Sequence, residues 1–316
     1  MLVATKERPA EATAGRRGQA LRRREAIQGF LFVSPWVVGL VVFIIGPVIA
    51  SLYLSLTNYN ILNPPVFVGL KNYVTALSQD PLFPLASEKT LYYGVLTVPT
   101  VTFGALGLAM LLNRGASGTN AFRTMFFMPS LVPIVASAVL WIWIFDPQVG
   151  LLNYLLSLVG IQGPAWLGDP STALPSLVLI TLWASAGGTT MIIFLAGLQG
   201  VPQELYDAAA IDGAGRWRRF WNVTLPMISP TMLFNMVLGV IAALQVFATA
   251  FVATQGGPAY ATWFYLFYLY QQAFVFDHMG FASAMAWIFL IVVLSLTYLQ
   301  LRLSRQWVHY EGEDAK

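Results

Sequence analysis

Asp277 and His278 stand side by side, an acid–base pair of the kind that moves protons, and His309 is the second of two histidines. Such a pair catalyses a reaction only with a nucleophile or a metal in reach. Neither histidine has another His, a Cys or paired carboxylates at ligand spacing, and the chain has no cysteine. A metalloenzyme, a thiolate site and a disulfide framework are therefore unsupported. A phosphate-binding loop needs Gly-Lys ahead of Ser or Thr. The four lysines follow Thr5, Leu70, Glu88 and Ala315, so this chain is not its own P-loop ATPase. Asp277-His278 reads as a polar loop. The remaining candidate chemistry is recognition by neutral groups, Asn235, Gln245 and Thr249, with Trp183 beside Gly187-Gly188.

The elements that must position those groups are apolar. Of 316 residues 57% are hydrophobic and 10% charged, against about 25% charged in an ordinary soluble domain. A soluble enzyme, a nucleic-acid binder and a disordered chain all fit that balance poorly. Charge-free stretches run over 26–70, 90–113, 124–145, 170–203, 220–276 and 279–301. Crossing a bilayer takes about 20 mostly apolar residues in a helix. Six spans follow, about 30–57, 91–113, 128–146, 173–198, 228–252 and 281–303. Gln255-Gly256-Gly257-Pro258 interrupts the longest stretch. The piece behind it, 260–276, holds nine aromatic residues and suits a helix lying at the headgroup level better than a span.

Charge sidedness agrees. Fifteen of the 17 Lys and Arg fall in the N-terminal segment (Lys6, Arg8, Arg16, Arg17, Arg22, Arg23, Arg24), in two alternate connections (Arg114 and Arg123; Arg216, Arg218 and Arg219) and in the tail (Arg302, Arg305, Lys316). Only Lys71 and Lys89 fall on the other side. The positive-inside rule then gives six transmembrane helices with both termini in the cytoplasm. The organisation expected is a basic cytoplasmic arm at 1–25, a transmembrane domain at 26–305 and a cytoplasmic tail at 306–316. The first apolar stretch is too long for the core of a cleaved leader, and no small-residue cleavage site follows it. Asp146 lies at a span end and no charge lies deeper, so an ion-coupling site, the mark of a secondary carrier, is not visible.

The connection at 199–226 is the informative one. Pro202 and Glu204 suit a first helical turn; Leu205, Ala208, Ala209 and Ile211 give a small apolar face on a helix about 13 Å long. Asp212-Gly213 breaks it, and Asp212 or Gly215 can start a second helix over 216–223. Pro226 marks the start of the next span. Small alanines let a backbone sit deep in a partner's groove, with Glu204 and Asp207 offered to basic groups. The same pattern also suits an amphipathic loop resting on the membrane surface.

This segment resembles the coupling motif of binding-protein-dependent ABC importer permeases: an acidic residue, two alanines, three residues, Gly, nine residues, Ile, one residue, Leu-Pro. Asp207-Ala208-Ala209, Gly213, Val223 and Leu225-Pro226 match at every spacing, with Asp for the usual Glu and Val for the usual Ile. The resemblance extends over about 27–305 and is closest to the maltose-type, carbohydrate-uptake branch. It is carried by Pro47 with Ser55-Leu-Thr-Asn-Tyr59, Phe67-Val-Gly-Leu-Lys-Asn-Tyr73, Gly150-Leu-Leu-Asn153, Trp166-Leu-Gly-Asp-Pro170 and Thr254-Gln-Gly-Gly-Pro258, in that order.

The resemblance implies an all-α integral membrane bundle of the type I importer class in the bacterial or archaeal plasma membrane. It implies a second homologous permease subunit, two ATP-binding subunits and an extracytoplasmic sugar-binding protein. ATP and Mg would sit on the ATPase subunits, with no cofactor and no metal in this chain. The helix at 203–212 would dock in the ATPase, with Asp207 as a polar anchor, Ala208 and Ala209 permitting close approach and Gly213 setting the bend. A Gly213→Asp variant would then uncouple hydrolysis from uptake. Asn235 and Gln245, about 80° apart on a continuous helix, would line one broad face of the sugar path with Thr249 and Trp183; equally, such residues glue helices together. A permease for a non-sugar solute would share the coupling loop, and an ion-coupled carrier is the more distant alternative.

Overall fold

A computed structural model describes residues 11–113 and 118–308. Lys6 and Arg8 of the basic arm, Arg114, and His309 and Lys316 of the tail lie outside the described residues.

The chain divides into two units, 1–54 and 55–316. The first is helical: α1 (Glu11–Leu40) runs through a five-residue π-turn, Val41–Ile45, into α2 (Gly46–Ser55). Its apolar part belongs to a candidate span, Ile27–Ser55, most of which is exposed. Phe30, Phe32, Trp36 and Phe43 all stand exposed. In water such a surface would cost about 25 cal/mol per Å²; in hydrocarbon it costs nothing.

The second unit opens with a two-stranded antiparallel ribbon, β1 (Thr57–Asn58) against β2 (Val66–Phe67), in register Thr57 to Phe67. Asn72, in the short helix α3 (Lys71–Val74), donates from Nδ2 to the carbonyls of Ser55 and Thr57, and Tyr73 Oη meets Ser55 Oγ at 2.7 Å. Then comes the long helix α4 (Leu82–Leu112), with Pro99 inside it.

Three further helix pairs are apolar enough to count together as candidate spans but are sharply bent. The helix α5 (Thr119–Phe127) and a 3₁₀ turn at Met128–Leu131 lead into α6 (Ile134–Ile144) through a 98° bend at Val132-Pro133. After the short surface helix α7 (Leu151–Leu158), α8 (Pro170–Ser185) and α9 (Thr189–Gln199) meet at 54° across Ala186-Gly187-Gly188. The helices α10 (Gln203–Ile211), α11 (Arg216–Arg219) and α12 (Leu225–Met227) precede α13 (Ser229–Leu244), which leaves the preceding limb at 68°. After α14 (Ala248–Ala253) and α15 (Tyr265–Tyr270), α16 (Met279–Ser304) is the last straight candidate. The membrane-length candidates are three helices, or up to six if each bent pair is one span.

Two expectations change. The stretch 228–252 is not one helix: α13 stops at Leu244, Gln245 is its C-terminal cap, and α14 starts only at Ala248. The 80° relation between Asn235 and Gln245 therefore does not apply. The aromatic piece at 260–276 also turns inward: Phe264, Tyr265, Phe267 and Tyr268 are all buried. Tyr265 packs edge-on to Phe83, its hydroxyl donates to the Met285 carbonyl, and its own amide donates to Thr90 Oγ1. The middle of this piece, Phe264 to Tyr268, is core packed between α4 and α16, while Phe274, Val275 and Phe276 stay exposed.

Packing elsewhere uses small residues at crossings, as expected where lipid is as apolar as a leucine side chain and close backbone approach supplies the attraction. Ala105 and Ala109 of α4 are fully buried beside Met191 and Phe194 of α9. Gly197 faces Thr231 so closely that a Cβ would lie 2.7 Å from Thr231 Oγ1. At one end of the unit, Trp166 Nε1 donates to Asn153 Oδ1 at 2.7 Å, and Asn153 Nδ2 reaches the carbonyls of Pro147 and Pro164. Asp169 caps α8: its carboxylate accepts from Ser171 N and Ser171 Oγ, which holds its pKa below the usual carboxylate range.

Candidate functional site

Two places gather the candidate residues. The first is the connection between α9 and α13. Pro202 is the N-cap of α10 rather than its first helical residue, and Glu204 sits in the first turn, where a negative charge meets the helix dipole favourably. Asp212 is the C-cap. Gly213 follows in the left-handed region at φ +73°, its N–H bonding the Ala210 carbonyl while the Ala214 N–H bonds that of Ala209. That pair of bonds is a Schellman termination, and its αL residue is the reason for glycine here. Gly215, not Asp212, caps the second limb, which continues helically to Met227.

Glu204, Asp207, Ala208, Ile211 and Asp212 are exposed along one side of α10; Ile211 keeps 87% of its surface. Asp207 accepts from Gln203 Nε2 at 3.1 Å. Tyr206 and Ala209 turn the other way, and Tyr206 Oη meets Thr224 Oγ1 at 3.0 Å. Leu225 and Pro226 are half-buried at the foot of α13. The arrangement is a short helix with an acidic-edged apolar face turned outward, held from behind to the limb that feeds α13.

The second place is a void beside the bends of the α5–α6 and α8–α9 pairs. One lobe, about 340 Å³, is walled by Ser130, Ser137, Thr181, Ser185, Thr189, Thr190 and Thr249 together with apolar residues of α6 and α8. The neighbouring lobe, about 200 Å³, takes in Thr97, Thr102, Ser185, Thr189, Thr190 and Asn235. Ser185, Thr189 and Thr190 belong to both, so the lobes adjoin. No charged side chain lines either lobe. Ser137 Oγ and Asn235 Nδ2 are buried there without a hydrogen-bond partner in the protein. A buried polar group left unmet costs about 1–3 kcal/mol, so two around one void mark a surface made to meet something else.

Of the sequence candidates, Asn235 and Thr249 line the void. Gln245 is exposed at the end of α13, and Trp183 packs edge-on to Trp141 at 5.8 Å outside the lining of either lobe. Thr97, Thr102, Ser137, Ser185, Thr189 and Thr190 were not singled out by the sequence. Ser and Thr are ordinary in apolar helices, where they bond the carbonyl four residues back, as Thr90 does to Ala86. Only the three-dimensional arrangement separates the unmet ones. Asp277-His278 behaves as a loop: His278 Nδ1 lies 2.9 Å from Gln272 Oε1 and stacks loosely on Phe276. Among the described residues no group of His, Cys, Asp and Glu is placed to hold a metal.

Known proteins with the same architecture give this arrangement a setting. The chain is 38% identical to the "Probable ABC transporter permease protein YesP" of Bacillus subtilis over 92% of its length and 95% of the relative's. It is 34% identical to the trehalose/maltose transport system permease protein MalF of Thermococcus litoralis, covering 90% and 96% of the two chains. Among solved structures it superposes on a chain of a bacterial ABC transporter involved in import of the acidic polysaccharide alginate, with a TM-score of 0.79 and 25% identity over 92% and 99% of the chains. Residues 102–309 match the family described as the inner membrane component of binding-protein-dependent transport systems. The chain belongs to that family: it is an inner-membrane permease component of an ABC transport system.

Proposed function

We propose that this chain is the permease subunit of an ATP-driven importer that takes a carbohydrate from an extracytoplasmic binding protein and releases it in the cytoplasm. It crosses the membrane six times, each bent pair counting as one span, with both termini inside. The bend between two halves of a span lets the backbone line the void without leaving bundle protein, the condition under which broken helices are tolerated at membrane depth. Its complex contains a second, homologous permease and two ATP-binding subunits, which carry ATP and Mg; this chain contributes no catalytic residue.

The observation that carries the reading is α10. Its exposed face of Ala208 and Ile211, edged by Glu204, Asp207 and Asp212, is closed off by Gly213 and tied through Tyr206 to the limb leading into α13. A helix built this way converts a push from a soluble partner into tilt of the span that carries Asn235. Ala208 lets the partner approach, the acidic groups orient it, and Leu225-Pro226 transmit the movement at the foot of α13. Alternate opening of the void to the two sides follows from that tilt.

A carbohydrate suits the void because its lining is hydroxyl and amide without a fixed charge, the chemistry that exchanges hydrogen bonds with a polyol. The trehalose/maltose permease among the relatives points the same way. The test is reconstitution of the complete complex in proteoliposomes. Uptake of labelled sugar should require ATP inside and the binding protein outside. Uptake driven by an ion gradient without ATP would instead establish the secondary-carrier reading.

A further inference from the structure

We infer that the limb Arg216–Met227 is a lipid-binding helix. Arg216 and Arg218 hold the phosphates of anionic phospholipid in the cytoplasmic leaflet, and Trp217 and Trp221 sink among the headgroups. The inference rests on the importer reading and the orientation proposed with it, and adds a partner for the second half of the connection.

The limb runs helically from Arg216 to Met227 and meets α13 at 68°. Its twelve residues make about 18 Å of helix but advance only about 7 Å along the α13 axis. A helix so inclined lies along the foot of a span instead of leading away from it. Its inner side is already used: Phe220, Val223 and Met227 pack on the buried cluster of α4 and α9, and Thr224 is bonded to Tyr206. The other side is open. Trp217 keeps 73% of its surface and Trp221 50%, and their rings meet edge to face at 5.9 Å. Helical spacing puts the two indoles on one face, with Arg216 and Arg218 about 100° to either side of Trp217. Both arginines are exposed.

The guanidinium groups meet no opposite charge. The one ion pair among the described residues joins Lys89 to Glu88. Arg216, Arg218 and Arg219 are therefore unpaired, and Arg219 Nε is buried without a hydrogen-bond partner. Arg123 shows the alternative, since its Nη2 donates to the Leu112 carbonyl.

Exposed indoles flanked by free guanidinium groups at the foot of a span match the chemistry of a bilayer surface. Indole settles at headgroup depth, where its body is apolar and its N–H finds an acceptor. An arginine stem lies along apolar chains while its planar head takes two phosphate oxygens. The cytoplasmic leaflet supplies the negative charge, worth about fivefold in affinity for each arginine near it. Anchored there, the limb does not lift when α10 is pushed, so the movement passes to α13. Coupling then depends on anionic lipid.

The test places the complete importer in proteoliposomes of phosphatidylcholine, with phosphatidylglycerol raised from none to an equal share. Sugar moved per ATP hydrolysed should rise severalfold in the wild type. Arg216→Gln/Arg218→Gln should need at least about fivefold more phosphatidylglycerol for the same ratio, or not reach it. Arg216→Lys/Arg218→Lys should recover part of the response. Brominated phosphatidylglycerol should quench tryptophan emission more than brominated phosphatidylcholine, and Trp217→Phe/Trp221→Phe should remove that difference; this readout needs no transport activity. Equal quenching by the two lipids, or the same lipid dependence in the wild type and the Gln variant, overturns the inference. So does loss of the ATP-binding subunits from the Gln variant in detergent, which would assign the arginines to an acidic surface on that partner. A wild type that moves no sugar with ATP in any lipid would defeat the importer reading instead, and the quenching would still decide the lipid site.

Discussion

The phenol of Tyr206 and the hydroxyl of Thr224 sit 3.0 Å apart across eighteen residues of chain. That bond ties the back of α10 to the limb that becomes α13. In the account above it is a strut between the coupling helix and the span carrying Asn235. A hydrogen bond of this kind is worth about 1 kcal/mol net. Tyr206→Phe keeps the ring packed against the buried cluster shared by α4 and α9 and removes the bond alone. The complex should still assemble, while sugar moved per ATP hydrolysed should fall severalfold in proteoliposomes. An unchanged ratio would show that the strut carries no force.

Gly213 separates strain from charge. Its φ of +73° disfavours any β-branched residue, yet a Cβ there would meet nothing within 4 Å. Gly213→Asn should behave nearly as the wild type, since Asn tolerates the left-handed region. Gly213→Val should loosen the end of α10 and lower uptake. Gly213→Asp fits the conformation as Asn does, so uncoupled hydrolysis in the Asp variant alone would assign the effect to an added charge on the docking face. Wild-type uptake by both the Asp and Val variants would remove Gly213 from the coupling mechanism.

At the bend between α8 and α9, a Cβ on Gly187 would lie 2.0 Å from the carbonyl oxygen of Phe126. The obstacle is backbone, which cannot rotate aside as a flexible side chain would. Gly187→Ala should therefore push the two broken spans apart and lower the unfolding temperature of the purified complex by several degrees. Gly107→Ala, where nothing lies within 4 Å, is the matched control and should leave it unchanged. Equal melting of the two variants would contradict the close backbone approach.

Asn235 is placed for function at some expense in stability. It is 5% exposed and its Nδ2 has no partner in the protein. Asn235→Leu should match or exceed the wild type in thermal stability and lose most uptake, the trade expected of a polar group held ready for a ligand. A variant that melted earlier and transported normally would make Asn235 a helix-joining residue instead.

Acid should weaken the cap of α8. Hydrogen bonds from Ser171 hold the Asp169 carboxyl below its unfolded pKa, so its contribution is present above about pH 4 and is lost as pH falls through the folded value. The wild type should lose stability over that acid window more than Asp169→Asn, which keeps a capping oxygen that does not titrate in the range. Parallel acid profiles for the two proteins would count against the cap.

Much of this was legible in the sequence because its causes are local. Charge-free runs locate the apolar helices, and Asp212-Gly213 announces the end of α10. The short motifs shared with carbohydrate permeases turn out to be pins: Asn72 and Tyr73 hold the β-ribbon, Asn153 bonds Trp166, and Thr254 bonds Thr262 at 2.6 Å. What escaped notice is decided at a distance. The helix break after Leu244 falls at Gln245-Val246-Phe247, with no Pro or Gly to signal it. The aromatic run at 260–276 has the composition of an interface helix, but aromatic rings fill cores equally well, and only packing against Phe83 and Met285 decides between them. Ser137 looks like any hydroxyl in a span until the absence of a partner is seen.

The central claim is that this chain works as one permease in a larger ATP-driven assembly, and gentle purification of the tagged chain from its native host tests it most directly. Partners would be quantified by mass spectrometry. The account predicts recovery with one different permease and two copies of an ATP-binding subunit, with Ile211→Glu on the exposed face of α10 releasing the ATP-binding subunits. Recovery alone or as a homo-oligomer, under conditions that keep known importers intact, would contradict it.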